Sequence, residues 1–172
     1  RSMADKPVFN SENHVIADRD LGAIPPEHID ETLWQNAIHG QSSTTLWLWE
    51  RNHDDVGDAA GSILHRPDCV EAVGRCALDL NRLAREVAAL QNLPPAVCLL
   101  WSESSMVLGN DHEHLLMQAY EAANFLGLPL GFATEAKLAE AARGAALPRP
   151  LDTARVLILP QVTHLPDAAR AG

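Results

Sequence analysis

Apolar positions along residues 1–91 alternate between strand-like and helix-like spacing. The short apolar run at residues 7–9 predicts a strand at 6–9, and the β-branched and aromatic run at 43–50 predicts a second strand. Residues 24–40 open with two prolines and end at a glycine, which is typical of a helix. Residues 68–91 carry apolar side chains at steps of three and four, so they predict one long amphipathic helix.

The pattern changes after the helix breaker Asn92–Pro95, which is the best internal boundary. Residues 96–102 form a continuous apolar run, as in a strand that is covered on both faces. Beyond it the same reasoning predicts helices at 110–127 and 134–144, and strands at 128–134 and 155–160. Strands alternating with helices indicate parallel βαβ units, so the fold class is α/β.

Composition narrows the possible partners. The 172 residues are 47 % hydrophobic, enough for a buried core, and the formal net charge is -10. An acidic chain of this kind lacks the basic face that nucleic-acid binding requires. No apolar run is long enough to span a membrane, and no signal-peptide pattern follows Met3. The three cysteines form no CxxC pair, which predicts reduced thiols and a cytoplasmic protein.

Glu12 is the first candidate for chemistry, because it follows an apolar run and lies among Asn10, Ser11, Asn13 and His14. Amides and hydroxyls can hold a carboxylate ionised and oriented, as a nucleophile requires. A turn cap or a solvated loop acid would show the same local pattern. The spacing alone leaves both interpretations open.

Two indoles provide a second candidate. Trp47 and Trp49 lie two positions apart, so on a strand they share one face and can stack on a sugar ring. Two tryptophans that fill the core would be spaced in the same way. Arg51 follows directly and can bind a ligand or close an ion pair.

A metal site is not predicted. In the stretch Asp111–His114, His112 and His114 point to different sides of a helix, and no third ligand follows at useful spacing. The chain also contains no GxGxxG, P-loop or GxSxG motif. We therefore expect no metal and no cofactor.

Several stretches together resemble the C-terminal part of clan A glycoside hydrolases of the family 42 β-galactosidase type. The stretch "KPVFNSENHVI" resembles the seventh barrel strand, ending in the nucleophilic Glu, and "LWQNAIHGQSSTTLWLWER" resembles the following helix and eighth strand. The stretches "VCLLWSESSMVLG", "AYEAANFLGLPLGFATEAKL" and "ARVLILPQVTHL" resemble the start of an amidotransferase-like domain without its catalytic cysteine.

The resemblance implies a fold and a function. Residues 1–93 would be the C-terminal units of a (β/α)8 barrel. Residues 94–172 would be an incomplete, Rossmann-like βαβαβ layer of the class I glutamine amidotransferase type. The chain would be part of a retaining β-glycosidase acting on terminal β-galactosides, and a homo-oligomer. Glu12 would be the nucleophile, with the substrate bound by Trp49, Trp47, Asn13, His14 and Arg51.

The sequence lacks a recognisable second catalytic carboxylate of that family. A retaining glycosidase needs a second carboxylate about 5 Å from the nucleophile, and the family carries it after an Asn on the fourth strand. No Asn-Glu pair occurs in the chain, and Glu50 and Glu103 are the other strand-end acids. The alternative function is therefore a non-catalytic module that serves oligomerisation or carbohydrate binding.

Overall fold

The computed structural model describes residues 6–17, 22–50, 62–109, 111–144, 146–147 and 149–170. Contacts between residues divide the chain between Asn92 and Leu93 into two compact units, which we call the N-terminal and C-terminal units. Both units have mixed α/β structure with parallel strands, as the alternating pattern predicts. No helix in the described ranges is long and apolar enough to cross a membrane.

The N-terminal unit is a parallel strand pair covered by helices on one side. Its elements are β1 (Val8–His14), α1 (Pro26–Ile38), β2 (Gln41–Trp47), α2 (Pro67–Arg82) and α3 (Ala84–Gln91). A core of buried apolar residues joins the strand ends to the helices: Val15, Ile16, Ile29, Leu33, Ile63, Cys69, Ala72 and Cys76. Each large aliphatic side chain buried here contributes about 1.5–3 kcal/mol relative to an exposed position.

The C-terminal unit is a three-stranded parallel sheet in the order β4-β3-β5. Its elements are β3 (Val97–Trp101), α4 (Glu103–Leu108), α5 (His112–Asn124), β4 (Leu130–Thr134), α6 (Glu135–Ala142), β5 (Val156–Ile158) and α7 (Asp167–Arg170). The central strand β3 is buried over four successive residues, which explains its continuous apolar run. As predicted, Thr134 caps α6, and its side chain accepts from the backbone N–H of Lys137.

Several elements differ from those predicted: helix α4 was not predicted, β5 is shorter than 155–160, and α5 is shorter than 110–127. Three further differences lie in the N-terminal unit. Strand β1 continues to His14, so Glu12 lies inside the strand and not beyond its end. Strand β2 stops at Trp47, although the apolar pattern extends to Trp49. The long amphipathic helix is interrupted at Leu83, whose backbone has φ -100° and ψ 18°, but two hydrogen bonds bridge the interruption.

The three cysteines are free and buried, in agreement with the expectation of reduced thiols. Cys98 lies in β3 with no exposed surface, and its burial raises the pKa of the thiol to about 11. Burial likewise raises the pKa of Cys69 and of Cys76. A thiol held in its neutral form is a poor nucleophile, so Cys98 acts as a packing residue.

Candidate active site

Parallel pairing brings the carboxyl ends of β1 and β2 to the same edge of the N-terminal unit. There His14 pairs directly with Trp47, and the two rings lie with their centroids 5.8 Å apart at an interplanar angle of 34°. The Nε2 atom of His14 lies 3.8 Å from a carboxylate oxygen of Glu12. Glu12, His14 and Trp47, which are all predicted site residues, therefore form one cluster.

Glu12 lies at a β-bulge, where two residues of β1 stand opposite one residue of β2. Asn10 pairs with Thr44 and Asn13 pairs with Leu46, so Ser11 and Glu12 together face the single residue Thr45. The Glu12 side chain is 63 % exposed, so a ligand can reach its carboxylate. Bulges commonly occur next to active sites, where they change the direction of a side chain.

Asn13 lies on the other face of the strand pair. Its partner Leu46 packs against the apolar core, and Asn13 itself is 6 % exposed. Its side-chain nitrogen Nδ2 is buried and has no hydrogen-bond partner. The structure therefore separates Asn13 from the cluster of Glu12, His14 and Trp47.

Trp49 follows β2 and keeps 41 % of its surface exposed. Its carbonyl oxygen accepts hydrogen bonds from the backbone N–H of Leu64 and the hydroxyl of Ser62. The preceding carbonyl, of Leu48, accepts from Ile63, so the segment after the strand is fixed by its backbone. Arg51, the remaining predicted substrate residue, lies outside the described residues.

The C-terminal unit contains a polar cluster that was not predicted from the sequence, formed by buried Ser102, His112 and Glu135 together with half-buried Ser104. One carboxylate oxygen of Glu135 accepts from the Ser102 hydroxyl at 2.6 Å and from the Ser104 backbone N–H at 3.0 Å. The other oxygen accepts from the Ser104 hydroxyl at 2.8 Å. These bonds tie the carboxyl end of β3 to the start of α6, so we interpret this cluster as structural.

His112 completes this cluster as a neutral ring with a fixed tautomer. Its Nε2 accepts from the backbone N–H of Ser102 at 3.0 Å, so Nδ1 carries the hydrogen and donates to the carbonyl of Pro160 at 2.6 Å. His114 is exposed and contacts Gln118 instead. Within the described ranges no group of His, Cys, Asp and Glu side chains could hold a metal ion.

Comparison with known proteins adds one match to this geometry. No family model matches the chain, and no curated protein matches it. Among solved structures it is similar to the crystal structure of an apo exo-carrageenase of family GH42 from Bacteroides ovatus, with 25 % identity and a TM-score of 0.76. The match covers 94 % of this chain and 22 % of that protein, so the chain spans about a fifth of its length.

This similarity supports a glycoside hydrolase origin of the family 42 type for the chain. The same family type is the one that the sequence stretches resemble.

Proposed function

We propose that this chain is a segment of a retaining β-glycosidase that hydrolyses terminal β-galactosides, with Glu12 as its nucleophile. The carrying observation is the cluster of Glu12, His14 and Trp47 at the carboxyl ends of two parallel strands. In (β/α)8 enzymes, the catalytic residues lie at that end of the strands. The GH42 structural neighbour supports the coarser part of the proposal, a glycoside hydrolase origin.

The proposal assigns each unit a place in the parent protein. Residues 1–93 are the last units of a (β/α)8 barrel, and residues 94–172 are an incomplete amidotransferase-like layer. The parallel strands of both units support these assignments. The buried, unreactive Cys98 is consistent with an amidotransferase-like unit that has no thiol chemistry.

The proposed reaction has two steps. A carboxylate oxygen of Glu12 attacks the anomeric carbon of the galactoside, forming a glycosyl ester while the bond to the leaving-group oxygen breaks. Water then hydrolyses the ester and frees Glu12. Protonation of the leaving group, and later activation of water, needs a second carboxylate that we expect in the remainder of the parent protein.

The substrate residues have separate roles in the proposal. Trp47 and Trp49 stack on apolar sugar faces, while His14 and Arg51 bind hydroxyl groups. Asn13 was predicted to bind substrate as well, but its buried position gives that role no support. Glycoside hydrolysis by two carboxyl groups and water requires no cofactor. We retain a cytoplasmic location as part of the proposal.

Covalent trapping tests the proposal directly. We expect a 2-deoxy-2-fluoro-β-galactoside with a dinitrophenolate leaving group to label the product of the whole reading frame that encodes these residues. The dinitrophenolate departs as an anion and needs no proton, so the ester forms. The fluorine at C2 destabilises the oxocarbenium-like transition state of the hydrolysis step, so the ester accumulates. Peptide mass spectrometry should place the label on Glu12, and a label on another carboxylate would refute the assignment.

Trp49 provides a separate test of sugar binding. We expect galactose at millimolar concentration to change the intrinsic fluorescence of the protein, and Trp49→Ala to abolish the binding while leaving the circular dichroism unchanged. Trp34→Phe is the matched control, because Trp34 packs against the core on the helix side. Equal galactose affinity in the wild type and Trp49→Ala would exclude a platform at this position.

The alternative function is a non-catalytic module for oligomerisation or carbohydrate binding. Exposed apolar side chains favour it: Phe9 is 61 % exposed in the N-terminal unit and Phe125 is 92 % exposed in the C-terminal unit. Galactose binding without any covalent trapping would support this alternative. Self-association into a homo-oligomer is part of both proposals.

A further inference from the structure

We propose that Asn10 is a positioning residue for Glu12, holding the backbone bulge that directs the carboxylate toward the substrate. This inference rests on the proposed role of Glu12 as nucleophile. Asn10 acts only through the backbone of Glu12 and need not touch the substrate.

At the bulge, a backbone N–H group of β1 needs a hydrogen-bond acceptor other than the regular pairing with β2. Because Ser11 and Glu12 together oppose the single residue Thr45, the strands cannot pair every backbone group across this step. The side-chain oxygen Oδ1 of Asn10 accepts from the backbone N–H of Glu12 at 3.2 Å. This contact over two residues is the Asx-turn geometry, in which a side chain replaces a main-chain acceptor.

The side-chain contact of Glu12 is too weak to fix its direction. Its carboxylate is 63 % exposed, and the Nε2 atom of His14 lies 3.8 Å away, itself on a side chain 46 % exposed. An exposed contact at this distance contributes little even between charged groups, because water screens it and both side chains lose freedom. The direction of the Glu12 side chain therefore depends on the backbone conformation of the bulge, which Asn10 stabilises.

Asn10 is placed for this role and not for substrate contact. It pairs with Thr44, whose side-chain oxygen is buried on the face that packs against the helices, and Asn10 itself is half-buried. The bulge therefore places Asn10 and Asn13 on the same face although they are three positions apart. Glu12 and His14 share the exposed face.

We expect substitution of Asn10 to change the rate at which Glu12 is covalently trapped. A misplacement of about 1 Å can lower the rate of a positioned reaction about 100-fold. We expect Asn10→Leu, which keeps the size and removes the acceptor, to lower the trapping rate constant about 10- to 100-fold with little change in sugar affinity. Asn10→Asp keeps an acceptor oxygen, so it should preserve the bulge.

Hydrogen exchange of the Glu12 amide gives a readout that does not depend on activity. In the same reading-frame product, loss of one hydrogen bond should raise that exchange rate about fivefold in Asn10→Leu, while Asn10→Asp returns it to the wild-type value. Asn81→Leu is the matched control, because Asn81 is exposed on α2. It should change neither the Glu12 exchange rate nor the trapping rate.

Three outcomes are distinguishable. Slower trapping with faster Glu12 exchange in Asn10→Leu supports the inference. Wild-type trapping and exchange rates in Asn10→Leu overturn it and leave Glu12 as nucleophile. A wild-type protein that takes no label at Glu12 overturns the proposed function, and the positioning role falls with it.

Discussion

Glu12→Gln is expected to abolish hydrolysis of an aryl β-galactoside by the product of the whole reading frame. The substitution keeps the size of the side chain and removes the charge that attacks the anomeric carbon. Loss of the nucleophile in a covalent mechanism lowers kcat about 10⁴-fold or more. Release of nitrophenolate, followed by absorbance under saturating substrate, measures this effect.

Two further acids serve as controls for that substitution. Glu50 follows β2 and Glu103 opens α4, and both are exposed strand-end carboxylates. We expect Glu50→Gln and Glu103→Gln to change kcat much less than Glu12→Gln does. A Glu12→Gln variant that retains the wild-type rate would show that Glu12 is a non-catalytic exposed acid of β1 and that the family assignment is wrong at this position.

Glu135→Ala is expected to destabilise the C-terminal unit by about 3 kcal/mol. It leaves the hydroxyl and the backbone N–H of Ser104 without their acceptor, and a donor that loses its partner in the folded state costs about 1–3 kcal/mol. The hydroxyl of Ser102 loses its shorter contact but keeps the carbonyl of His164 as an acceptor at 3.1 Å. The N-terminal unit should keep its stability. Peptide-resolved hydrogen exchange therefore measures the effect better than one melting temperature for the whole chain.

The expected signature is faster exchange, about 100-fold, in peptides that cover β3, α4 and the start of α6. Glu140→Ala is the matched control, since Glu140 is an exposed acid on the same helix α6. It should leave exchange in these peptides unchanged. If Glu135→Ala also left it unchanged, the hydrogen bonds of Glu135 would contribute no net stability to the unit.

Local sequence patterns predicted most elements of both units, because those elements depend on side-chain spacing and on caps. The apolar stripe of 68–91 identified α2 and α3, and Thr134 marked the start of α6. The interruption at Leu83 was missed because the apolar stripe continues through it. The end of β2 was misplaced because Trp49 extends the apolar pattern beyond the last paired residue, Trp47.

The two sites differ in what the sequence could reveal. Glu12, His14 and Trp47 follow from the rule that parallel strands end at one edge, so their proximity could be anticipated. The bulge could not be anticipated, because it depends on how β1 pairs with β2, whose partner residues lie 33 or 34 positions apart in the sequence. Glu135 was missed because its hydrogen-bond partners lie 31 and 33 residues away, although a serine-rich segment directly after a buried strand was a usable signal.

The pairing of β1 with β2 contains two irregularities whose shifts cancel. Val8 pairs with Gln41 and Phe9 with Ser43, so β2 carries one extra residue there, and the bulge at Ser11 and Glu12 gives β1 one extra residue in return. A deletion in either strand alone would slide part of the pair by one residue, about 3.3 Å. Matching deletions in both strands would leave their two ends in place. The lengths of these two segments are therefore coupled, and an alignment that allows a gap in only one of them would misplace the residues beyond it.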